Sequence, residues 1–119
     1  MLTAIGPTVV NFQTATCWIV LGPRSRFAYA TNNVSNTITG YRVGFDGSLE
    51  LLDPDGVTAL SNTRPVDMGV TANGHFLYSL NAGTGTVAAY RIDARSGALT
   101  PLGDIGGLPA EGAAGLAVR

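Results

Sequence analysis

Three side chains in this sequence could take part in catalysis: Arg64, Asp67 and Glu111. An arginine beside carboxylates could bind an anionic acid or polarise a carbonyl group, and a carboxylate could act as a general base. The alternative role is structural, with an Arg–Asp pair that ties a loop to a strand. Because no spacing among the three is diagnostic of a reaction, we favour the structural interpretation.

Other potential reactive groups are single residues. His75 is the only histidine and follows an Asn-Gly turn, so it can make no metal site with other histidines. Cys17 is the only cysteine, which excludes an internal disulfide, and we expect a small buried thiol there.

One glycine motif resembles a cofactor-binding sequence. Residues 83–88 fit the dinucleotide fingerprint G-x-G-x-x-A, but that fingerprint requires a helix after its glycines. Residues 86–92 are typical of a strand, so we interpret the motif as a hairpin turn. We expect no cofactor and no metal.

Charge and hydropathy exclude several classes of partner. The formal net charge is -1 with no basic block, which gives no support for nucleic-acid binding. No apolar run is long enough to span a membrane, and residues 1–10 lack the features of a signal peptide. The expected location is therefore cytoplasmic by default. Only 13% of residues are charged, so much of the surface should face other protein.

The sequence contains an internal repeat of about 50 residues. Phe27 and Phe76 begin matching segments, FAYATN and FLYSLN, that lie 49 residues apart. Tyr41-Arg42 matches Tyr90-Arg91 at the same offset, and the segments after them match at an offset of 50. A period of this length suits the four-stranded blade of a β-propeller.

Short β-rich segments separated by Asx-Gly and Ser-Gly turns predict an all-β fold, a partial β-propeller. We expect two four-stranded antiparallel blades, with strands a to d in chain order. The predicted strands are 17–21, 26–31, 37–43 and 49–53 in blade one, and 66–71, 75–80, 86–92 and 98–103 in blade two.

The ends of the chain resemble incomplete blades. Residues 2–6 resemble an outer strand d, and residues 114–118 resemble an innermost strand a. The predicted organisation has four segments: 1–16 (outer strand and loop of a preceding blade), 17–60 (blade one), 61–105 (blade two) and 106–119 (innermost strand of a following blade).

The repeat motifs resemble a known family. YATN at residues 29–32, TGTV at 84–87 and SGALTPL at 96–102 are similar to the repeat of the 6-phosphogluconolactonase-like (lactonase, YVTN-type) propellers, over nearly the whole chain from residue 17. The resemblance implies a seven-bladed parent fold, often exported, with activities on sugar or muconate-type lactones. The matching residues are the structural repeat, so no catalytic residue carries over.

Three functions remain open. The chain could supply structural blades that need a parent chain or other copies to complete a ring. An assembled ring could be a lactone hydrolase or cycloisomerase that binds a sugar acid or lactone at the channel mouth, where Arg64, Asp67 and Glu111 are expected. It could also be a binding scaffold. Because two isolated blades leave two sheet faces bare, we expect a homo-oligomer or a larger propeller.

Overall fold

Two antiparallel sheets form the chain in a computed structural model that describes residues 1–109 and 112–119. In blade one, β1 (Thr16–Leu21), β2 (Phe27–Asn32), β3 (Thr37–Val43) and β4 (Leu49–Leu51) pair in sequence order, and β5 (Ala59–Leu60) also pairs with β3. In blade two, β6 (Pro65–Val70), β7 (Phe76–Asn81), β8 (Thr86–Ile92) and β9 (Leu99–Ile105) pair in the same order. The fold class, a partial β-propeller of about two blades, is confirmed.

The eight predicted strands are present, and their ends differ from prediction by at most two residues. The glycines of three predicted turns, Gly47, Gly74 and Gly97, have positive φ, as tight hairpins require. Residues 83–85 lie in the turn between β7 and β8, and residues 86–88 begin β8 and not a helix. None of the helical residues described forms a segment long and apolar enough to cross a membrane.

The outer edge of blade one differs from prediction because its fourth strand is interrupted. β4 pairs with residues 41–43 of β3, whereas β5 pairs with residues 37 and 38. Residues 52–58 leave the sheet between the two pairings. They remain bonded to Gly40 of β3, because the Leu52 N–H donates to Gly40 O and the Gly40 N–H donates to Thr58 Oγ1. The loop that leads from β5 into β6 at the mouth is therefore short and consists of residues 61–64.

The two terminal segments lie along the blades without joining a sheet. Residues 2–6 and 114–118 were expected as strands d and a, but neither carries a strand assignment. A strand d pairs with strand c of its own blade, and a strand a pairs with strand b of its own blade. Neither partner is present in this chain, so the backbone groups of both segments lack a ladder.

The main core lies between the two blades. It contains large buried side chains from both sheets, with Tyr29, Ile38 and Leu77 fully buried. A smaller cluster of Ala28, Ala30 and Tyr41 lies on the opposite face of blade one, where Val9 of the leading segment packs on it. Burial on both faces explains why β2 is apolar or buried at every position instead of alternating.

Candidate functional site

The predicted channel mouth is the end of the blades where the b–c turns meet the segments that enter strand a. The same pair of backbone hydrogen bonds ties these segments together in both blades. In blade one, Asn33 N donates to Ala15 O and Val34 N to Thr14 O. In blade two, Ala82 N donates to Arg64 O and Gly83 N to Thr63 O, at positions 49 residues further on. The mouth is thus a repeated backbone joint.

Arg64 occupies this joint through its main chain and leaves its side chain at the surface. Its φ is 59°, and Ala15 at the equivalent position has the same φ. The Arg64 N–H donates to Asn36 Oδ1 at 2.9 Å, which links the mouth of blade two to the b–c turn of blade one. Because alanine serves in the other repeat, the joint requires the left-handed backbone but not the guanidinium group.

Asp67 is buried and its carboxylate is already occupied. Oδ1 accepts a hydrogen bond from Met68 N at 2.7 Å, and Oδ2 accepts one from Leu116 N at 2.6 Å. The expected Arg–Asp pair is therefore replaced by a link from β6 to the trailing segment. A Cβ at Gly69 would collide with the side chain of Val118, so this segment lies directly against β6.

Blade one offers no second carboxylate at the position equivalent to Asp67. Trp18, the blade-one equivalent of Asp67, is 47% exposed and has no carboxylate with which to make a similar link. Glu111, the third predicted candidate, lies outside the described residues. The structure therefore gives positions for Arg64 and Asp67 and describes no contact between their side chains.

A buried polar network lies behind the mouth of blade one and was not foreseen from the sequence. The Asn32 side chain is fully buried and makes four hydrogen bonds. Its Oδ1 accepts from Thr16 Oγ1 at 2.8 Å and from Asn11 Nδ2 at 3.1 Å, and its Nδ2 donates to Thr39 Oγ1 at 2.8 Å and to Thr37 Oγ1 at 3.0 Å. The recurrence of Asn32 as Asn81 at the repeat period was the available signal for this role.

The threonines of the network are also hydrogen-bonded to residues outside it. Thr39 Oγ1 donates to Gly56 O at 2.6 Å, and Thr37 Oγ1 donates to Gln13 Oε1 at 2.8 Å. Among the described residues, every buried side-chain nitrogen and oxygen has a hydrogen-bond partner. We therefore assign the network to stability of the fold.

A small groove lies between the blades beside the mouth. It has a volume of about 220 Å³ and is bordered by Asn62, Asp104 and Tyr90. The Tyr90 hydroxyl donates to Leu60 O at 2.8 Å, and Asn62 Nδ2 donates to the carboxylate of Asp104. Burial, together with the nearby charge of Asp104, raises the pKa of Tyr90 to about 12. Tyr90 therefore stays protonated at neutral pH and acts as a structural donor.

His75 and Cys17 were also considered for chemistry. His75 is at the turn between strands a and b, at the opposite end of the blade, as predicted. Cys17 is exposed, so the expected buried thiol is wrong. The reason is that Cys17 borders the open groove on the outer face of blade one, which is turned away from blade two. No group of three or more His, Cys, Asp or Glu within residues 1–109 and 112–119 is arranged to hold a metal.

Comparison with family models identifies the fold family. Residues 3–111 match the model described as lactonase, 7-bladed beta-propeller. The chain belongs to this lactonase family. The match covers both blades, the mouth and the polar network, so the features described above are those of a lactonase-family propeller. A comparison with curated proteins gave no match.

Solved structures support the same fold. A functionally unknown protein from Desulfotomaculum acetoxidans is 23% identical with a TM-score of 0.77, over 90% of this chain and 32% of that chain. A provisionally named 6-phosphogluconolactonase from Bacteroides fragilis is 23% identical with a TM-score of 0.70, over 76% of this chain and 25% of that one. The periplasmic gluconolactonase of Pseudomonas aeruginosa is 18% identical with a TM-score of 0.66, over 79% and 26%. The chain thus spans about a quarter to a third of these structures.

Proposed function

We propose that this chain supplies two adjacent structural blades of a lactonase-family ring, and that each of its two outer faces is half of an interface with another blade. One observation carries the proposal. Side chains that are buried between blade one and blade two have repeat equivalents on the outer faces, and these equivalents are exposed. The next blade could come from a longer chain or from another copy of this one.

The outer face of blade one repeats the inner face of blade two. Met68 of β6 is 3% exposed because blade one covers it, whereas Ile19, at the same position of β1, is 58% exposed. Val70 is partly buried in the same way, and its equivalent Leu21 is 57% exposed. A groove of about 690 Å³ opens on this face, bordered by Ile19, Tyr41 and Leu49 among others. A preceding blade would cover these apolar groups, which stabilises both partners.

The outer face of blade two repeats the inner face of blade one. The Tyr29 hydroxyl is buried and donates to Gly97 O of blade two at 2.7 Å. Its equivalent, Tyr78, is partly exposed and makes no such bond within the described part of the chain. Leu52 packs against the central core, whereas its equivalent Leu102 is 52% exposed.

The acceptor that matches Tyr78 is present on blade one. Gly47 is the repeat equivalent of Gly97, and both adopt left-handed φ, at 83° and 77°. A preceding blade would place its own tyrosine hydroxyl at Gly47 O, as Tyr29 is placed at Gly97 O. Blade one and blade two therefore offer opposite halves of one interface.

The solution mass of the purified chain, measured by light scattering, tests this proposal. We expect an oligomer, and we expect Ile19→Glu to lower its mass by placing a charge in the contact face. Phe45→Glu is the matched control, because Phe45 is an exposed apolar residue that lies at the c–d turn, outside both faces. A monomeric wild type with the same mass and thermal stability as Ile19→Glu would contradict assembly from copies of this chain.

A lactone hydrolase at the mouth of the completed ring is the second candidate, and Arg64 is the observation that favours it. The repeat fixes the Arg64 backbone from two blades but does not use its guanidinium group, which could polarise a lactone carbonyl. Asp67 is less suited to act as a base, because both carboxylate oxygens already accept backbone hydrogen bonds. Glu111 is retained in this candidate as a possible base on sequence grounds alone.

Turnover of a sugar lactone, such as gluconolactone, by the assembled protein tests this candidate. We expect Arg64→Ala to lower kcat/KM by about 100-fold, the effect of losing one charged transition-state contact. Arg95→Ala, at the opposite end of the blade, should leave turnover unchanged. Equal rates for Arg64→Ala and wild type would remove Arg64 from the site.

A further inference from the structure

Positive charge is concentrated at the end of the blades opposite the mouth. Five arginines and His75 lie in or beside the a–b and c–d turns there, namely Arg24, Arg26, Arg42, Arg91 and Arg95. The acidic residues at this end are Asp46, Asp93 and Glu50. The described mouth residues, by contrast, carry one arginine against Asp53, Asp55, Asp67 and Asp104.

Two of the carboxylates at the cationic end are engaged within their own turns. Asp46 accepts from Ser48 N and Ser48 Oγ, and Asp93 accepts from Arg95 N and Ser96 N. These hydrogen bonds hold the pKa of both carboxyl groups below the usual value. Glu50 is directly opposite Arg42 in the β3–β4 pairing.

A groove of about 220 Å³ at this end is lined by residues of both blades. Its volume is room for about seven waters. None of its lining residues is acidic: they are Pro23, Arg24 and Arg26 from blade one, and Asn73, His75 and Ala94 from blade two.

The two walls of the groove are in direct contact. A Cβ at Gly74 would lie 2.7 Å from Pro23 Cγ, so only glycine lets the two a–b turns pack this closely. Asn73 Oδ1 accepts from Thr71 Oγ1 and from His75 N, which fixes the Asn73 amide and leaves its Nδ2 group as the remaining donor. Packing and hydrogen bonds therefore fix the two a–b turns that form the groove.

We propose that this groove binds a phosphate group, either free or as the monoester of a small molecule. Two guanidinium groups, an imidazole and an amide N–H₂ supply donors that match the oxygens of a tetrahedral oxyanion. Arg26 and His75 are repeat equivalents, as are Arg24 and Asn73, so the site is assembled from the same turn of successive blades. It lies at the opposite end from the mouth and does not depend on the proposed function.

The test is an NMR titration of the full chain with sodium phosphate, at constant ionic strength maintained with sodium chloride. We expect saturable shifts in the Arg24 and Arg26 Nε–H signals and in the His75 amide, and the same shifts with glycerol 3-phosphate. Arg24→Gln together with Arg26→Gln should weaken binding by about 100-fold, because the loss of each charge-assisted bond of about 1.4 kcal/mol corresponds to a factor of ten. Arg64→Gln is the control and should change the dissociation constant by less than about twofold.

Two outcomes would overturn the proposal. Equal shifts with chloride alone would mean general screening of positive charge and not a phosphate site. Binding to vesicles of phosphatidylcholine and phosphatidylglycerol, without saturable shifts from inorganic phosphate, would mean a flat surface patch. Arg24, Arg26 and Arg64 are all exposed, so we expect their replacement to leave the fold intact. Unchanged NMR signals outside the a–b turns would show that each variant remains folded.

Discussion

The two blades are built from one repeat, yet their buried asparagines are held in different ways. Asn32 of blade one makes four side-chain hydrogen bonds, two of them to Asn11 and Thr16 before or at the start of β1. Asn81 of blade two makes two within the described residues, with Ser79 and Thr86. A repeat can therefore keep a buried amide in place while its partners change.

The difference follows from the residues at equivalent positions. Thr39 and Thr16 of blade one correspond to Ala88 and Pro65 of blade two, neither of which has a side-chain donor. Ser79 of blade two replaces Ala30 and provides a donor from the same strand. Blade one is thus joined to its leading segment by polar contacts, whereas Asn81 is satisfied within its own hairpin.

The largest expected effect is that of Asn32→Ala. It leaves several buried hydroxyl and amide groups without their partner, and we expect a loss of about 3 kcal/mol in the free energy of unfolding. Asn81→Ala is the matched control and should cost about 1 to 2 kcal/mol, because fewer groups are affected. Urea unfolding measures both, and equal losses would contradict the contrast between the blades.

High pH should weaken the contact that Tyr90 makes across the blades. The pKa of Tyr90 is about 12 in the folded chain and 10.0 in the unfolded chain. Its stabilising contribution is therefore complete below about pH 10 and is lost as the pH rises towards 12, by about 2 kcal/mol. Tyr90→Phe should flatten the fall in the free energy of unfolding over this range. Tyr29 and Tyr41, whose pKa values are also raised by burial, will contribute to the residual slope.

Loss of the Asn11 amide should loosen the leading segment. Asn11→Ala removes hydrogen bonds to Asn32 and Thr16, and we expect a loss of about 1.5 kcal/mol. Hydrogen exchange at Asn33 N–H, which donates to Ala15 O, should become faster, while exchange at Ala82 N–H should stay unchanged. Faster exchange at both sites would mean global destabilisation and not local release.

The smallest effect is expected for the tyrosine hydroxyl between the blades. Tyr29→Phe removes the bond to Gly97 O and should cost about 1 kcal/mol. Tyr78→Phe, measured at a concentration where the chain is monomeric, should cost almost nothing because the outer face of blade two is uncovered. If the two variants lose equal stability, Tyr78 already has a partner.

The sequence was sufficient to predict the strands and the two-blade organisation, because repeated apolar segments and Gly turns define both. It was not sufficient for the interrupted edge of blade one. β5 has two residues, shorter than any window in which alternation can be recognised, and Pro54 and Gly56 within residues 52–58 indicate a loop. The interrupted edge depends on the pairing of β4 and β5 with β3, which local sequence patterns do not specify.

The site was predicted less well, for a reason visible at Asp67 and Cys17. Sequence spacing located Arg64 and Asp67 at the same end of the blade, but it could not show that the Asp67 carboxylate accepts from Leu116 N, 49 residues away. We expected the thiol of Cys17 to be buried, yet it borders the open groove on the outer face of blade one and is exposed. Both errors concern contacts between blades, which local patterns do not specify.

The backbone shared by Ala15 and Arg64 has a consequence for how such repeats diversify. A left-handed residue held by the same two main-chain bonds tolerates alanine in one copy and arginine in the next. Duplication of the blade copies this left-handed backbone conformation, whereas the side chain at this position is not required for the sheet. Each new blade therefore brings one position at the rim of the ring where substitutions can introduce charge or bulk without disturbing the strands beneath.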